Sequence, residues 1–192
     1  MTTTGFTRTV QGQQAPVPGS YTIDPAHTSV AFRVQHMAIS KVRGSFTGLS
    51  GSIVVGETPA ESSVEVDIEA STIDTAQPQR DQHLRSGDFL DVDNHPALTF
   101  RGNRIEQDGD EWKVHGDLTI LGTTRPVTLD VEFEGAGPDV LGDPESPRIG
   151  FSAETKINRD EFGLTWNQAL ETGGWVVGKD VKIDLDVEAV RQ

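Results

Sequence analysis

Cysteine is absent from this 192-residue chain. That excludes disulfides, a thiolate nucleophile and any cysteine-ligated metal centre. Long apolar runs are missing as well. The first twenty residues, MTTTGFTRTVQGQQAPVPGS, hold no hydrophobic core of a secretory signal, and no later stretch is long enough to cross a bilayer as a helix. The expected location is the cytoplasm, with no stable membrane insertion. Basic residues are scarce: 16 Lys and Arg stand against 30 Asp and Glu, a formal net charge of -14. Such a surface repels nucleic acid and anionic membranes, so neither is an expected partner. There is no Gly-x-Ser-x-Gly elbow, and no glycine-rich phosphate loop precedes a helical pattern. His27, His36, His83, His95 and His115 show no HxH or HxxxH spacing, even with Asp24, Asp81 and Asp88 near them in sequence. No metal site and no cofactor is therefore expected; Asp24 and His27 are read as capping a turn.

What the chain does have is strand alternation. Val30, Phe32 and Val34 alternate with Ala31, Arg33 and Gln35; Val64, Val66, Ile68 and Ala70 alternate with Glu65, Asp67 and Glu69. The same two-residue period runs through Val127 to Glu134, Ile149 to Ile157 and Val181 to Ala189. Each strand has one apolar and one charged face, so there is one core and one solvent side. The phase slips near Gly48 and Gly51, which predicts a bulge or bend, and Gly116 marks a kink or close approach. Leu121 to Thr124 predicts a turn, and Gly135 to Pro147 a loop. Residues 1–18 are polar and carry two prolines, which predicts a mobile tail ahead of a barrel domain over residues 19–192. The pattern fits an all-β antiparallel fold, either an up-and-down barrel of about eight strands or a sandwich.

One segment breaks the pattern. Arg80 to Phe100, RDQHLRSGDFLDVDNHPALTF, carries charge, a glycine, a proline and a short helical pattern. It predicts a helix and loop around residues 78–96 that closes one end of the barrel. Pro78 suits the first helical turn, Asp81 and Arg85 are spaced to pair, and Gly87 is placed to end the helix. Further on, Asn158 to Glu161 has capping chemistry, and Gly163 can stop that single turn.

Several blocks together resemble the YceI-like, polyisoprenoid-binding family. They are Tyr-x-Ile-Asp-Pro-x-His-Thr-x-Val-x-Phe-x-Val-x-His from Tyr21 to His36, Arg-Asp-x-His-Leu-Arg-Ser-x-Asp-Phe from Arg80 to Phe89, and Pro96 to Phe100. Gly116 to Leu129, Asn-Arg-x-x-Phe-Gly-Leu-x-Trp-Asn from Asn158 to Asn167, and Gly173 to Gly178 complete the set. The resemblance implies a lipocalin-like barrel that binds a long isoprenoid or related lipid and catalyses nothing. Many members of that family begin with a secretory signal, which this sequence lacks.

Candidate ligand-lining positions follow from the inward faces: Phe32, Val34, Phe46, Leu118, Ile120, Leu129 and Phe151. Leu84, Phe89, Phe100, Phe162 and Trp166 lie in irregular segments or at strand ends and are the candidates for the pocket mouth. Gly48, Gly51 and Gly116 leave room for a hollow interior. The alternative is an enzyme that holds a hydrophobic substrate in the barrel and acts on it through the charged segment 80–88. A carrier needs an apolar tunnel with few polar groups; an enzyme needs at least two titratable groups aimed at one point. A homodimer is compatible with either.

Overall fold

The computed structural model describes residues 3–109, 111–171 and 173–192. Three short strands come first: β1 (Thr3–Thr4), β2 (Thr7–Val10) and β3 (Gln13–Pro16), paired in that order as a separate antiparallel sheet. The barrel follows. Its strands are β4 (Gly19–Ile23), β5 (Ser29–His36), β6 (Ser40–Phe46), β7 (Leu49–Val55), β8 (Ser63–Glu69) and β9 (Ile73–Asp74). After helix α1 (Pro78–Arg85) come β10 (Ala97–Asp108), β11 (Glu111–Ile120), β12 (Thr123–Pro138), β13 (Pro147–Asn158) and β14 (Val177–Arg191).

Hydrogen bonding runs β4-β7-β8-β10-β11-β12-β13-β14 and returns from β14 to β4, which closes eight antiparallel strands into a barrel. Strand β14 also pairs with β5, β5 with β6, and β6 with β9. The pairs β4/β5, β6/β7 and β8/β9 are thus three wall strands, each interrupted by a bend. The break between β6 and β7 falls at Thr47-Gly48, where alternation slips. A Cβ on Gly48 would lie 2.6 Å from Thr72 Cγ2, and one on Gly51 would lie 2.3 Å from the Glu65 carbonyl oxygen. Only glycine allows the walls to approach this closely. Leu121 and Gly122, both with positive φ (51° and 68°), form the two-residue turn between β11 and β12, the turn geometry that matches strand twist.

The two ends of the barrel differ. At one end stand α1, the loop up to β10, a 3-10 turn over Arg159–Phe162 and the segment leading to β14. At the other stand β1 to β3, a 3-10 turn over Pro59–Glu61 and the β12–β13 loop. Buried side chains divide the same way. Ala70, Leu90, Leu98, Phe100 and Phe162 belong to the larger cluster, and Tyr21, Ile23, Ile149 and Ala189 to the smaller.

Four expectations are corrected here. Within the stretch 1–18 read as a mobile tail, Thr3–Pro16 forms a sheet, with Arg8 and Ala15 buried; residues 1 and 2 lie outside the described residues. Its polar sequence hid this, because Arg8 makes the hydrogen bonds of the docking and the apolar contribution is small, Val10, Ala15 and Pro16. Gly87 does not end α1 through a positive φ; Ser86 caps it, and Asp91 takes the left-handed conformation (φ 45°). Asp81 does not form an ion pair with Arg85. It is buried and accepts from the Thr75 N–H (2.9 Å) and hydroxyl, while Arg85 donates to the Ser71 and Ile73 carbonyls, each at 2.6 Å. The Gly135–Pro147 loop is shorter than expected, because β12 continues to Pro138.

Asp24 ties three strands together. It accepts from its own turn (Ala26 N–H, 2.9 Å), contacts His27 Nδ1 (2.8 Å) and accepts from Arg148 on β13 (2.7 Å). Arg148 also reaches Glu188 on β14 (2.8 Å) and Asp139 (3.0 Å). The Arg148 bond, then His27, pulls the Asp24 carboxyl down from 3.8 to about 2. A depressed carboxyl contributes stability that is fully present above the unfolded pKa and is lost as pH falls through the folded one. The wild-type chain is therefore expected to lose about 2 kcal/mol between roughly pH 4 and 2 through this group. Asp24→Asn should remove that part of the acid transition; equal acid-melting profiles for the two proteins would refute the assignment.

Candidate functional site

The barrel is hollow. A cavity of about 350 Å3 runs along its interior and touches wall residues of both ends, within the usual range of small-molecule sites, about 300–1,000 Å3. Strand β13, with 12 residues, implies a barrel roughly 30 Å long at the usual strand rise and tilt. The alternation explains the lining. Phe32 and Val34 on β5, Phe46 on β6 and Phe151 on β13 face inward, as do Leu118 and Ile120 on β11 and Leu129 on β12. From the end near α1, Leu84, Phe89 and Phe100 reach the same space.

The remaining two mouth candidates are not part of the lining. Phe162 is 1% exposed and packs in the larger core cluster beneath the 3-10 turn. Trp166 stacks behind the lining, its ring centroid 5.1 Å from Phe89 and 4.8 Å from His83; His83 and Phe89 meet edge-on at 5.1 Å. The His83 Nε2 lies 2.8 Å from Asp88 Oδ2. Two rings from two segments, His83 and Trp166, thus pack against Phe89, which lines the cavity.

Glycine and aromatic side chains fit together in the wall. A Cβ on Gly44 would sit 2.4 Å from Phe32 Cζ, and one on Gly116 would sit 2.6 Å from Phe100 Cζ. The room at Gly116 is thus filled by an aromatic ring and does not open the cavity.

Polar groups at the cavity are few. Thr28, Ser62, Ser63 and Thr155 contribute small side chains, and the ionisable side chains among the lining residues are Arg8 and Arg159. They stand at opposite ends. Arg159, 3% exposed, donates to the carbonyls of Gly178 (2.9 Å), Trp166 (3.0 Å), Leu164 and Val177. Burial pushes this guanidinium down, and Asp160 partly offsets it. The local turn is built as its sequence implies: Asn158 accepts from the Asp160 N–H, and Gly163 ends it at φ 85°. Sequence reasoning passed over Val30, Ile183 and Leu185, which line the cavity and obey the same two-residue period. It also missed both arginines, which no periodicity marks.

The charged segment 80–88 is engaged elsewhere. Arg80 donates to the Thr75 hydroxyl (2.7 Å) and carbonyl (2.8 Å). Burial raises the Asp81 carboxyl, but the Thr75 bonds together with Arg85 and Arg80 hold it below the usual carboxylate range. Asp24, His27 and Glu188 bring ligand-type atoms within 4.8 Å of one another. Arg148 is already bonded to both carboxylates, so an ion-pair network accounts for the cluster.

These features define a closed, eight-stranded, lipocalin-like antiparallel barrel with an apolar interior. The chain belongs to the YceI-like family, whose domain model matches residues 21–189. It is 37% identical over 179 residues to the YceI protein of Shigella flexneri, covering 92% of this chain and 89% of that one. The crystal structure of a Campylobacter jejuni YceI protein, 30% identical, superposes with a TM-score of 0.68 over 82% of this chain and 90% of that one. A domain from Saccharophagus degradans described as polyisoprenoid binding shares the fold at 14% identity, with a TM-score of 0.65 over 90% and 98% of the two chains.

Proposed function

We propose that this chain holds a long isoprenoid, or a lipid tail of similar chemistry, inside the barrel for transport or storage, without converting it. The observation that carries this reading is the cavity lining: hydrocarbon along its length, with two arginines at opposite ends as its ionisable groups. An apolar chain buried there gains the full hydrophobic term, about 0.8 kcal/mol per methylene, and leaves no partner unpaired. The description of the Saccharophagus degradans domain supports the isoprenoid class. The enzyme alternative has less support, because the titratable side chains of segment 80–88 bond to Thr75, Ser71, Ile73 and one another, while Leu84 and Phe89 are what that segment gives to the cavity.

The test is purification without detergent, solvent extraction and lipid mass spectrometry, followed by titration with a fluorescent polyprenyl analogue. A co-purifying or displaceable isoprenoid is expected. Failure of every prenyl and acyl probe to bind would overturn the proposal, and chemical conversion of a bound probe would favour the enzyme.

A further inference from the structure

The family match begins at Tyr21, so the sheet formed by residues 3–16 lies outside it. Val10, Ala15 and Pro16 nevertheless line the cavity, next to Arg8. The β2–β3 hairpin closes on itself through a two-residue turn, Gln11 and Gly12, both with positive φ. It is then fixed to two walls. On one side Arg8, 6% exposed, donates to the Glu57 carbonyl (3.0 Å), the Glu57 carboxylate (3.2 Å) and the Gly56 carbonyl, just beyond the end of β7. Its Nε donates back to Pro16 (3.2 Å), so the same guanidinium braces the hairpin. On the other side β3 packs against β12. In the ring, β7 and β12 are separated by β8, β10 and β11 on one side and by β4, β14 and β13 on the other. They face each other, and a hairpin fixed to both spans the opening between them. The Tyr21 hydroxyl, on a fully buried side chain, donates to the Val17 carbonyl (2.8 Å) and holds the linker down.

We infer that this hairpin is the floor of the cavity and sets the length of hydrophobic tail the chain accepts. The inference rests on the lipid-binding reading above. A tail lying along the barrel axis gains affinity with each methylene until it meets Val10, Ala15 and Pro16. Longer tails must fold back, leave carbons in water at the far end, or displace the Arg8 latch. The barrel wall is shared with the family, whereas this floor lies outside the family match. Tail-length preference is therefore a property of residues 7–16, and Arg8 is the residue that positions them.

The experiment compares farnesol, geranylgeraniol and solanesol as competitors of a fluorescent prenyl probe. The proteins are the intact chain, a variant lacking residues 1–16, and Ala15→Phe. The readout is the ratio of the solanesol to the farnesol dissociation constant. Each buried methylene is worth about fourfold in affinity, so removing the floor should move the ratio at least about tenfold toward the long chain. Ala15→Phe, which raises the floor, should move it the other way. If the shortened chain does not fold, Ala15→Phe decides alone. An unmoved ratio overturns the floor, as does a uniform weakening with faster release of all three prenols, which is how a door behaves. Absence of prenol binding by the intact chain overturns the lipid-binding reading itself, and the floor with it.

Discussion

Phe89→Ala is expected to destabilise the chain by about 3–5 kcal/mol, the range for truncating a buried aromatic, and to speed release of a bound lipid. Phe89 is 8% exposed, lines the cavity and carries the stack with His83 and Trp166. Truncation removes hydrocarbon from the ligand side and a ring contact from the other side. The melting temperature should fall by roughly 10 °C, and a displacement titration below that temperature should show weaker retention. Parent-like binding by the folded variant would show that this end of the cavity does not hold the ligand. Asp81→Ala serves as the contrast. A carboxylate paired with Arg85 on an exposed helix face, as the spacing implies, would be worth little, about 0.5 kcal/mol. Because Asp81 instead satisfies the buried Thr75 N–H and hydroxyl, its loss should destabilise by about 1–3 kcal/mol, with binding by the folded fraction retained.

Arg159→Met is expected to destabilise by about 3 kcal/mol and to loosen the segment between Gly163 and Val177. Two effects oppose each other. Burying a guanidinium without a bonded carboxylate is unfavourable, so an apolar replacement of similar volume relieves a desolvation penalty. Against this, methionine leaves the carbonyls of Gly178, Leu164 and Trp166 without their charged donor, and bonds to charged groups contribute about 1.5–3 kcal/mol each. Several such bonds outweigh one desolvation term. Hydrogen exchange should show lost protection at Val177, whose N–H donates to Asn167 Oδ1 in the segment Arg159 organises. An unchanged or higher melting temperature would mean that desolvation dominates.

The wall of the barrel was legible because half-buried strands repeat every two residues, and Phe32, Phe46, Leu118 and Phe151 face inward as their phase requires. The two-residue period fits a barrel or a sandwich equally, and the resemblance to the YceI-like family is what implied the barrel. The β14–β4 pairing that closes it joins the beginning and the end of the domain, Tyr21 with Arg191, and leaves no mark on either strand's pattern. The lid was legible from Pro78 and the charge pattern, but the burial of Asp81 was not: Thr75 lies six positions upstream and bears no helical spacing to it. Phe162 reads as a mouth residue because it follows a capping turn, yet that turn folds it under the chain and into the core. The hairpin over residues 7–16 was hidden for a different reason. Its docking combines one guanidinium reaching carbonyls 48 and 49 residues away with the contact of β3 on β12, and neither leaves a compositional trace.

Strand β14 carries a consequence for synthesis. It is the last strand, yet it borders β13 along its length and closes against both β4 and β5. Gln192 bonds Thr22 across a separation of 170 residues. On the ribosome, β4 and β5 are the first barrel strands made, and they wait with one open edge until Val177 to Arg191 emerge. At about 5–20 residues per second, that wait lasts roughly ten to thirty seconds, long compared with the milliseconds to seconds in which such non-local β pairing forms once its partners are present. The nascent chain thus has walls before it has an interior, and an enclosed cavity exists only after the final strand has docked.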